Sequence, residues 1–282
     1  HVILHSMKRG LIALDIDGTL TGSQHLIPLE VITYLHALYD DGWCVVLLTG
    51  RMLSFAQRAI QDINFPYYLA VQNGADILEM PHKKLATRAY FGLDIVEKLD
   101  HLYQNLPSDF LIYSGYESGD FCYYRSKKYP ASMTSYLEKL ASLSDAPWQD
   151  CPDFSLEQKS FPLIKCVGFY DDLKKIEEKL TGVTTALISD PISDGYYHLI
   201  LVTHADATKG RALRRIQSYL EVQGPVIAAG DDVNDVPMFK EADVAIVMET
   251  APKDVLNYAD IIAKPSTELG IIPALKTAIS KC

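Results

Sequence analysis

Gly10-Leu-Ile-Ala-Leu-Asp15-Ile-Asp17-Gly18-Thr19-Leu20 is the stretch that decides the fold of this 282-residue chain. From Leu11 to Leu14 apolar residues follow one another without polar alternation, as in a strand buried on both faces of a parallel sheet. The run ends on two carboxylates. In an open parallel sheet the ligand crevice lies outside the carboxyl ends of the strands, so Asp15 and Asp17 stand where reactive groups are expected. Read alone, the pair fits a solvated turn equally well, because Asp and Gly favour turns.

Outward from this strand the pattern alternates short apolar runs with amphipathic stretches, the signature of βαβ units and a parallel sheet. Pro28 opens a helix in which Val31, Leu35 and Leu38 recur at helical spacing, and Gly42 stops it. A second buried strand spans Trp43 to Thr49, a helix Leu53 to Asp62, and a third strand Tyr67 to Val71. The same grammar returns late, with a helix over Lys209 to Leu220 and strands over Pro225 to Ala229 and Val244 to Val247. Between the two halves the chain is rich in tyrosine and in Ser/Gly/Asp turn clusters such as Ser114-Gly-Tyr-Glu-Ser-Gly-Asp120, with helices over Asp94 to Asn105 and Asp171 to Leu180. The predicted architecture is therefore α/β: a three-layer, Rossmann-like core with a mainly parallel sheet, built from residues 1–87 and 204–282, and an inserted α+β cap over 88–203.

Composition narrows the partners. With 48% hydrophobic residues the chain can bury a large core. A net charge of −10 opposes the electrostatic footprint that nucleic acid or an anionic membrane requires. The five cysteines are odd in number and widely spaced, with no CxxC or Cys/His cluster, which fits a reducing, cytoplasmic setting. No run of about 18 apolar residues occurs. His1 to Gly10 is too short and polar for a secretory leader, and Met7 reads as the natural start.

Two further strand ends carry chemistry. Leu48-Thr49-Gly50-Arg51 puts a hydroxyl and free amides at an expected helix start, a candidate anion site. Gly230-Asp231-Asp232-Val233-Asn234-Asp235 gathers three carboxylates and an amide after an apolar run, suiting either a hard cation held by oxygen ligands or a charged surface loop. Lys209 begins a helix between the insert and the last half; a lone lysine there is ordinarily solvated. Together these groups would converge on one crevice and supply what phosphoryl transfer needs: a nucleophile, a magnesium ion, fixed donors and a cation.

In order and spacing, Asp15-x-Asp17-Gly-Thr, Thr49-Gly-Arg, Lys209 and Gly230-Asp-x-x-Asn-Asp235 resemble the four motifs of the haloacid dehalogenase superfamily. Gln72-Asn73-Gly74-Ala75, Pro237-Met238 and Gly270-Ile-Ile-Pro-Ala-Leu275 resemble its Cof-like branch, subclass IIB. The resemblance implies a magnesium-dependent phosphatase acting on a small phosphorylated metabolite, a sugar phosphate by preference. Asp15 would attack phosphorus; Asp17 would protonate the leaving oxygen and then activate water, so the two carboxyls must differ in protonation at the start. Magnesium would be held by the Asp15 side chain, the Asp17 carbonyl and Asp231, with Asn234 and Asp235 as outer or auxiliary ligands. Thr49 and Gly50 would bind phosphoryl oxygens, Asn73 would face the cleft, and Lys209 would offset charge. Asp206-Ala207 departs from the Gly-Val common in relatives and leaves the loop before Lys209 open.

Three other readings compete with this one. A sugar phosphomutase in related proteins has extra residues between the Gly-Asp and Asn-Asp pairs, where this chain has only Asp232-Val233. A catalytically silent binding protein on the same fold is disfavoured by four intact motifs. A P-type pump would need lysine at Asp17 and membrane helices. The aromatic cluster Tyr113, Tyr116, Phe121, Tyr123, Tyr124 and Tyr129 reads as sheet packing before substrate stacking. At least two of Arg125, Lys127 and Lys128 are expected to be solvated. His198 and His204 read as structural, and Cys44 as a small buried hydrophobe.

Overall fold

The computed structural model describes residues 9–22, 26–142 and 147–282; Met7 lies outside them. The chain divides into two compact units, one of His1–Arg51, Ala56–Arg88 and Thr208–Cys282, the other of Met52–Phe55 and Ala89–Ala207.

The first unit begins with β1 (Gly10–Asp15), every residue of which is buried. Helix α1 (Leu29–Asp40) buries Val31, Ile32, Leu35 and Leu38, and Gly42 leaves it at φ +90°, a conformation that glycine adopts without a Cβ clash. β2 (Trp43–Leu48), α2 (Leu53–Ile60), whose first three residues group with the second unit, and β3 (Tyr67–Val71) follow. β4 (Asp76–Met80) and β5 (Lys84–Arg88) then run antiparallel at the sheet margin, a pair that the apolar periodicity of the sequence did not announce.

The second unit has two sheets. β6 (Phe91–Gly92) leads into α3 (Leu93–Leu102), and then come β7 (Phe110–Tyr113), β8 (Cys122–Tyr124), α4 (Thr134–Ala141) and β9 (Trp148–Asp150). β10 (Ser160–Phe161) pairs with β6. β11 (Leu163–Gly168), α5 (Tyr170–Glu177), β12 (Val183–Ser189) and β13 (His198–His204) complete a six-stranded sheet of order β12-β13-β11-β7-β8-β9. Residues alternate across it: Ile112, Ile164, Cys166 and Val202 pack with Leu99 of α3 and Leu173 of α5, while Leu111, Tyr113 and Leu163 pack with Tyr136 and Leu140 of α4.

Of the three basic residues Arg125, Lys127 and Lys128, the two lysines are exposed, as expected of at least two of them, and Arg125 is buried. Its Nε and one terminal nitrogen donate to the two oxygens of Asp109, each at 2.7 Å. A second terminal nitrogen pairs with Asp100, and the guanidinium lies 4.2 Å from the Phe154 ring centroid. A planar fork that matches a carboxylate and stacks on an aromatic face is what allows a charge to stand there. Tyr113 and Tyr129 of the aromatic cluster are buried in the same unit, and His204 Nδ1 accepts the Asp206 amide at 3.0 Å, so these residues hold structure.

The chain re-enters the first unit through α6 (Lys209–Leu220), β14 (Val226–Gly230), α7 (Val236–Phe239), β15 (Val244–Met248), α8 (Lys253–Leu256), β16 (Ile261–Ala263) and α9 (Ile271–Lys281). Its sheet has the order β16-β15-β14-β1-β2-β3-β4-β5, parallel from β16 to β3. Leu11, Ala13, Val46 and Leu48 pack with Ala212, Leu213 and Ile216 of α6 on one face. By strand alternation Ile12, Leu14, Val45 and Leu47 face the other side, where α1 packs on β2 and α9 on β14 to β16. This is the three-layer, mainly parallel architecture read from the sequence. Among the described residues no helix is long and apolar enough to cross a membrane.

Candidate active site

β1 lies between β14 and β2, and its last residue, Asp15, is only 4% exposed. One carboxylate oxygen, Oδ1, accepts a 2.5 Å hydrogen bond from Lys209 Nζ, whereas Oδ2 is buried without a partner. Lys209 is the first residue of α6, fixed there by Thr208, whose hydroxyl oxygen accepts the Arg211 amide as an N-terminal cap. The Asp206-Ala207 departure forms a tight turn, the Ala207 amide donating to the His204 carbonyl at 2.8 Å.

Lys209 is buried and donates equally to Oδ1 of Asp235, also at 2.5 Å. The other oxygen of Asp235 accepts the amides of Asp231 and Asp232 at 2.9 and 3.0 Å. Asp232 accepts the Val233 amide, closing a capping box with Asp235. The acidic run after β14 is thus a folded loop whose central carboxylate is fully engaged by the chain itself. Two glycines let it close: a Cβ on Gly18, which has φ +75°, would lie 2.0 Å from Asp231 Oδ2, and one on Gly230 would lie 2.5 Å from the Asp235 carboxyl.

Asp15, Asp231 and Asp235 each present a carboxylate oxygen within 4.8 Å of the others. Two of the three carboxyls are harder to ionise than usual. Burial pushes Asp15 up to about 8, opposed by Lys209 and reinforced by Asp235 and Asp231. Burial likewise pushes Asp231 up to about 7, with Asp235 and Asp232 adding to it. Burial works against the Lys209 charge, yet Asp15 and Asp235 outweigh it and hold the ammonium above its ordinary value.

Thr49 follows β2 and is fully buried. It is not the start of a helix, since α2 begins at Leu53, and two of its expected free amides are taken: Thr49 donates to the Ala70 carbonyl at 2.9 Å, and Arg51 donates to Thr49 Oγ1 at 3.1 Å. The backbone turns back to accept the chain after β3 instead of entering a helix. The Gly50 amide donates to nothing among the described residues, and Thr49 Oγ1, as an acceptor already used, keeps its own proton to give. Asn73 stands in the left-handed conformation at φ 56°, its amide donating to the Thr49 carbonyl at 2.9 Å. Its carboxamide oxygen is buried without a partner and lies 3.5 Å from where a Gly50 Cβ would be.

The residues read from the sequence as catalytic, phosphate-binding or metal-binding all follow the carboxyl ends of β1, β2, β3 and β14 or begin α6. Asn234 is exposed on the turn after β14, and Asp17 and Asn234 fall outside the three-carboxylate group. Two residues were given no role. Arg51 pairs with Asp17 Oδ1, and Thr19, fully buried, has a hydroxyl with no partner. Both lie inside motifs already quoted, but composition gives no sign of which way an arginine or a threonine turns.

Comparison with known proteins identifies the family. A phosphatase from Bacillus subtilis is 25% identical over 295 residues, covering 94% of this chain and 98% of that protein. A 5-amino-6-(5-phospho-D-ribitylamino)uracil phosphatase of the same organism is 26% identical over 268 residues, covering 94% of each. The solved structure of a subclass IIB sugar phosphatase superposes with a TM-score of 0.75 at 19% identity, over 95% of this chain and 98% of that one. The family model for haloacid dehalogenase-like hydrolases matches residues 12–275, and the chain belongs to that family.

Proposed function

We propose that this protein is a magnesium-dependent phosphomonoesterase that hydrolyses a small phosphorylated metabolite, a sugar or polyol phosphate by preference, through an aspartyl-phosphate on Asp15. The observation that carries this reading is the Asp15 carboxylate, held by Lys209 through one oxygen and left with the other buried and unpartnered. The second unit, Ala89–Ala207, is proposed as the cap that selects the leaving group, and the uracil phosphatase relative, named for a phosphorylated ribityl chain, supports the substrate class.

The donors suit magnesium. They are hard carboxylate oxygens, the three acids lie within 4.8 Å, and burial, reinforced by the neighbouring carboxylates, makes Asp15 and Asp231 harder to ionise, a cost that a divalent cation would relieve. Asp15 and Asp231, with the Asp17 carbonyl, would hold the ion, and Asp235, whose oxygens are both engaged, would orient the loop. When bound, the ion neutralises phosphoryl charge and favours the anionic form of Asp15.

Asp15 then attacks phosphorus, forming an O–P bond as the bond to the leaving oxygen breaks. Asp17 delivers the proton to that oxygen. Arg51, donating to Asp17 Oδ1, stabilises the carboxylate so produced and leaves Oδ2 to take a proton from water in the second half-reaction. The Thr49 hydroxyl and the Gly50 amide donate to phosphoryl oxygens, and Lys209 balances the charge that accumulates between nucleophile and phosphate.

Rapid quench with labelled p-nitrophenyl phosphate, followed by peptide mapping, tests the reading. Label is expected on Asp15 only. Asp15→Asn should form no phosphoryl-enzyme, whereas Asp17→Asn should turn over roughly 10² to 10⁴ slower and accumulate it, because proton transfer alone is lost. Label elsewhere, a labelled Asp15→Asn protein, or full turnover after exhaustive metal removal would sink it.

A further inference from the structure

A sheet edge exposes a row of unpaired amides and carbonyls, and natural proteins guard such edges with short strands, charges or covering elements. The two large sheets of this protein end on four edges. β16 and β9 have three residues each, and β9 ends on Asp150. β5 carries Lys84 and Arg88 at its two ends. The fourth edge is different. β12, Val183-Thr-Thr-Ala-Leu-Ile-Ser189, has seven residues, no charge and no proline, and four of its seven residues are β-branched.

Among the described residues the backbone of β12 bonds only to β13. Ala186, Ile188 and Ser189 are exposed, Ile188 at 39%. Val183 and Leu187 pack toward α5 and Thr185 donates to Glu177, so the strand is seated on its inner face while, among the described residues, no strand pairs with its outer edge.

We infer that β12 is a dimerisation edge, which pairs antiparallel with β12 of a second copy of this chain and joins two six-stranded sheets into one. The sequence of the strand names the occupant. In a two-fold antiparallel pairing one residue lies on the axis and meets itself, and full overlap of the seven residues puts Ala186 there. Directly opposed residues have Cβ atoms about 4.5–5.5 Å apart. Ala186 meets that limit with the smallest side chain of the strand. Outward from the axis, Thr185 meets Leu187, Thr184 meets Ile188 and Val183 meets Ser189, pairs of β-formers with no charge opposing a like charge. The pairing is closed, since each copy has one such edge, so assembly stops at two.

Sedimentation equilibrium on the full-length protein tests this, with Ala186→Lys and Ile188→Lys as variants. Both positions are solvent-exposed, and circular dichroism and aryl phosphate turnover serve to verify the fold. The wild type is expected to be a dimer. Ala186→Lys places two ammonium groups face to face on the axis and should weaken association at least roughly tenfold, and Ile188→Lys should weaken it less, since it opposes Thr184. A wild type that sediments as a monomer throughout overturns the inference. So does a dimer undiminished by Ala186→Lys, or an assembly that grows beyond two.

Discussion

Lys209 Nζ stands 2.5 Å from Oδ1 of Asp15, an ion pair between the first residue of α6 and the last of β1 with both side chains almost wholly buried. The same ammonium holds Asp235, so its removal leaves two buried carboxylates facing each other. Lys209→Met should therefore destabilise the metal-free protein by about 3–5 kcal/mol, the usual cost of breaking a buried pair, and should lower turnover by roughly 10² or more. Urea unfolding and steady-state kinetics would read both. Unchanged stability would mean that the acids are neutral in the folded state.

Gly18→Ala addresses the approach of the two acidic loops. At φ +75°, with a Cβ 2.0 Å from Asp231 Oδ2, the substitution must push Asp231 aside. The apparent magnesium affinity, measured by activation kinetics, should fall by roughly tenfold or more, as when a ligand loses its support. An unaltered activation curve would remove Asp231 from the metal site.

The pH dependence of stability follows from the two raised carboxyls. A carboxyl that is harder to ionise in the folded state than at its ordinary value of 3.8 binds more protons folded than unfolded, so it disfavours the folded state as pH rises. The metal-free protein should lose stability progressively from about pH 4 through 7 and 8, where Asp231 and Asp15 ionise in place. Saturating magnesium should flatten that decline. Thermal unfolding across this range, with and without the ion, checks the sign; a metal-free protein that gains stability over it contradicts the site electrostatics.

In the second unit, Arg125→Met leaves Asp109 buried without its fork of donors, when burial already raises its carboxyl above the ordinary range. A loss of about 3–5 kcal/mol is expected, partly recovered by adding Asp109→Leu, which removes the stranded charge. Additive losses in the double mutant would show that the pair is not coupled.

What the sequence disclosed and what it withheld divide along physical lines. β1 and β3 could be bounded to the residue, because runs buried on both faces announce themselves. α6 was bounded as well, and the structure caps it with Thr208. β4 and β5 were missed, since a half-exposed antiparallel margin has no continuous apolar run and its pairing is decided by a partner strand. In the site, residue identity and spacing gave Asp15, Asp231 and Lys209. The geometry at Thr49 went otherwise, because whether an amide is free depends on the neighbouring strand, here Ala70 of β3. Arg125 is similar: its burial rests on Asp109 and Phe154, residues that no local pattern links to it.

The sheet order has a consequence for the birth of the protein. β1 has β2 on one side and β14 on the other, and roughly 210 residues separate β1 from β14. At the ribosome's pace of about 5–20 residues per second, on the order of ten to forty seconds pass before β14 emerges. Through that interval the nascent chain carries β1, wholly apolar up to Asp15, as an unsealed margin of a half-built sheet, a surface suited to chaperone capture. Asp15 is thus synthesised before Lys209 and Asp235, and the buried ion pairs among them form only once those later residues have arrived.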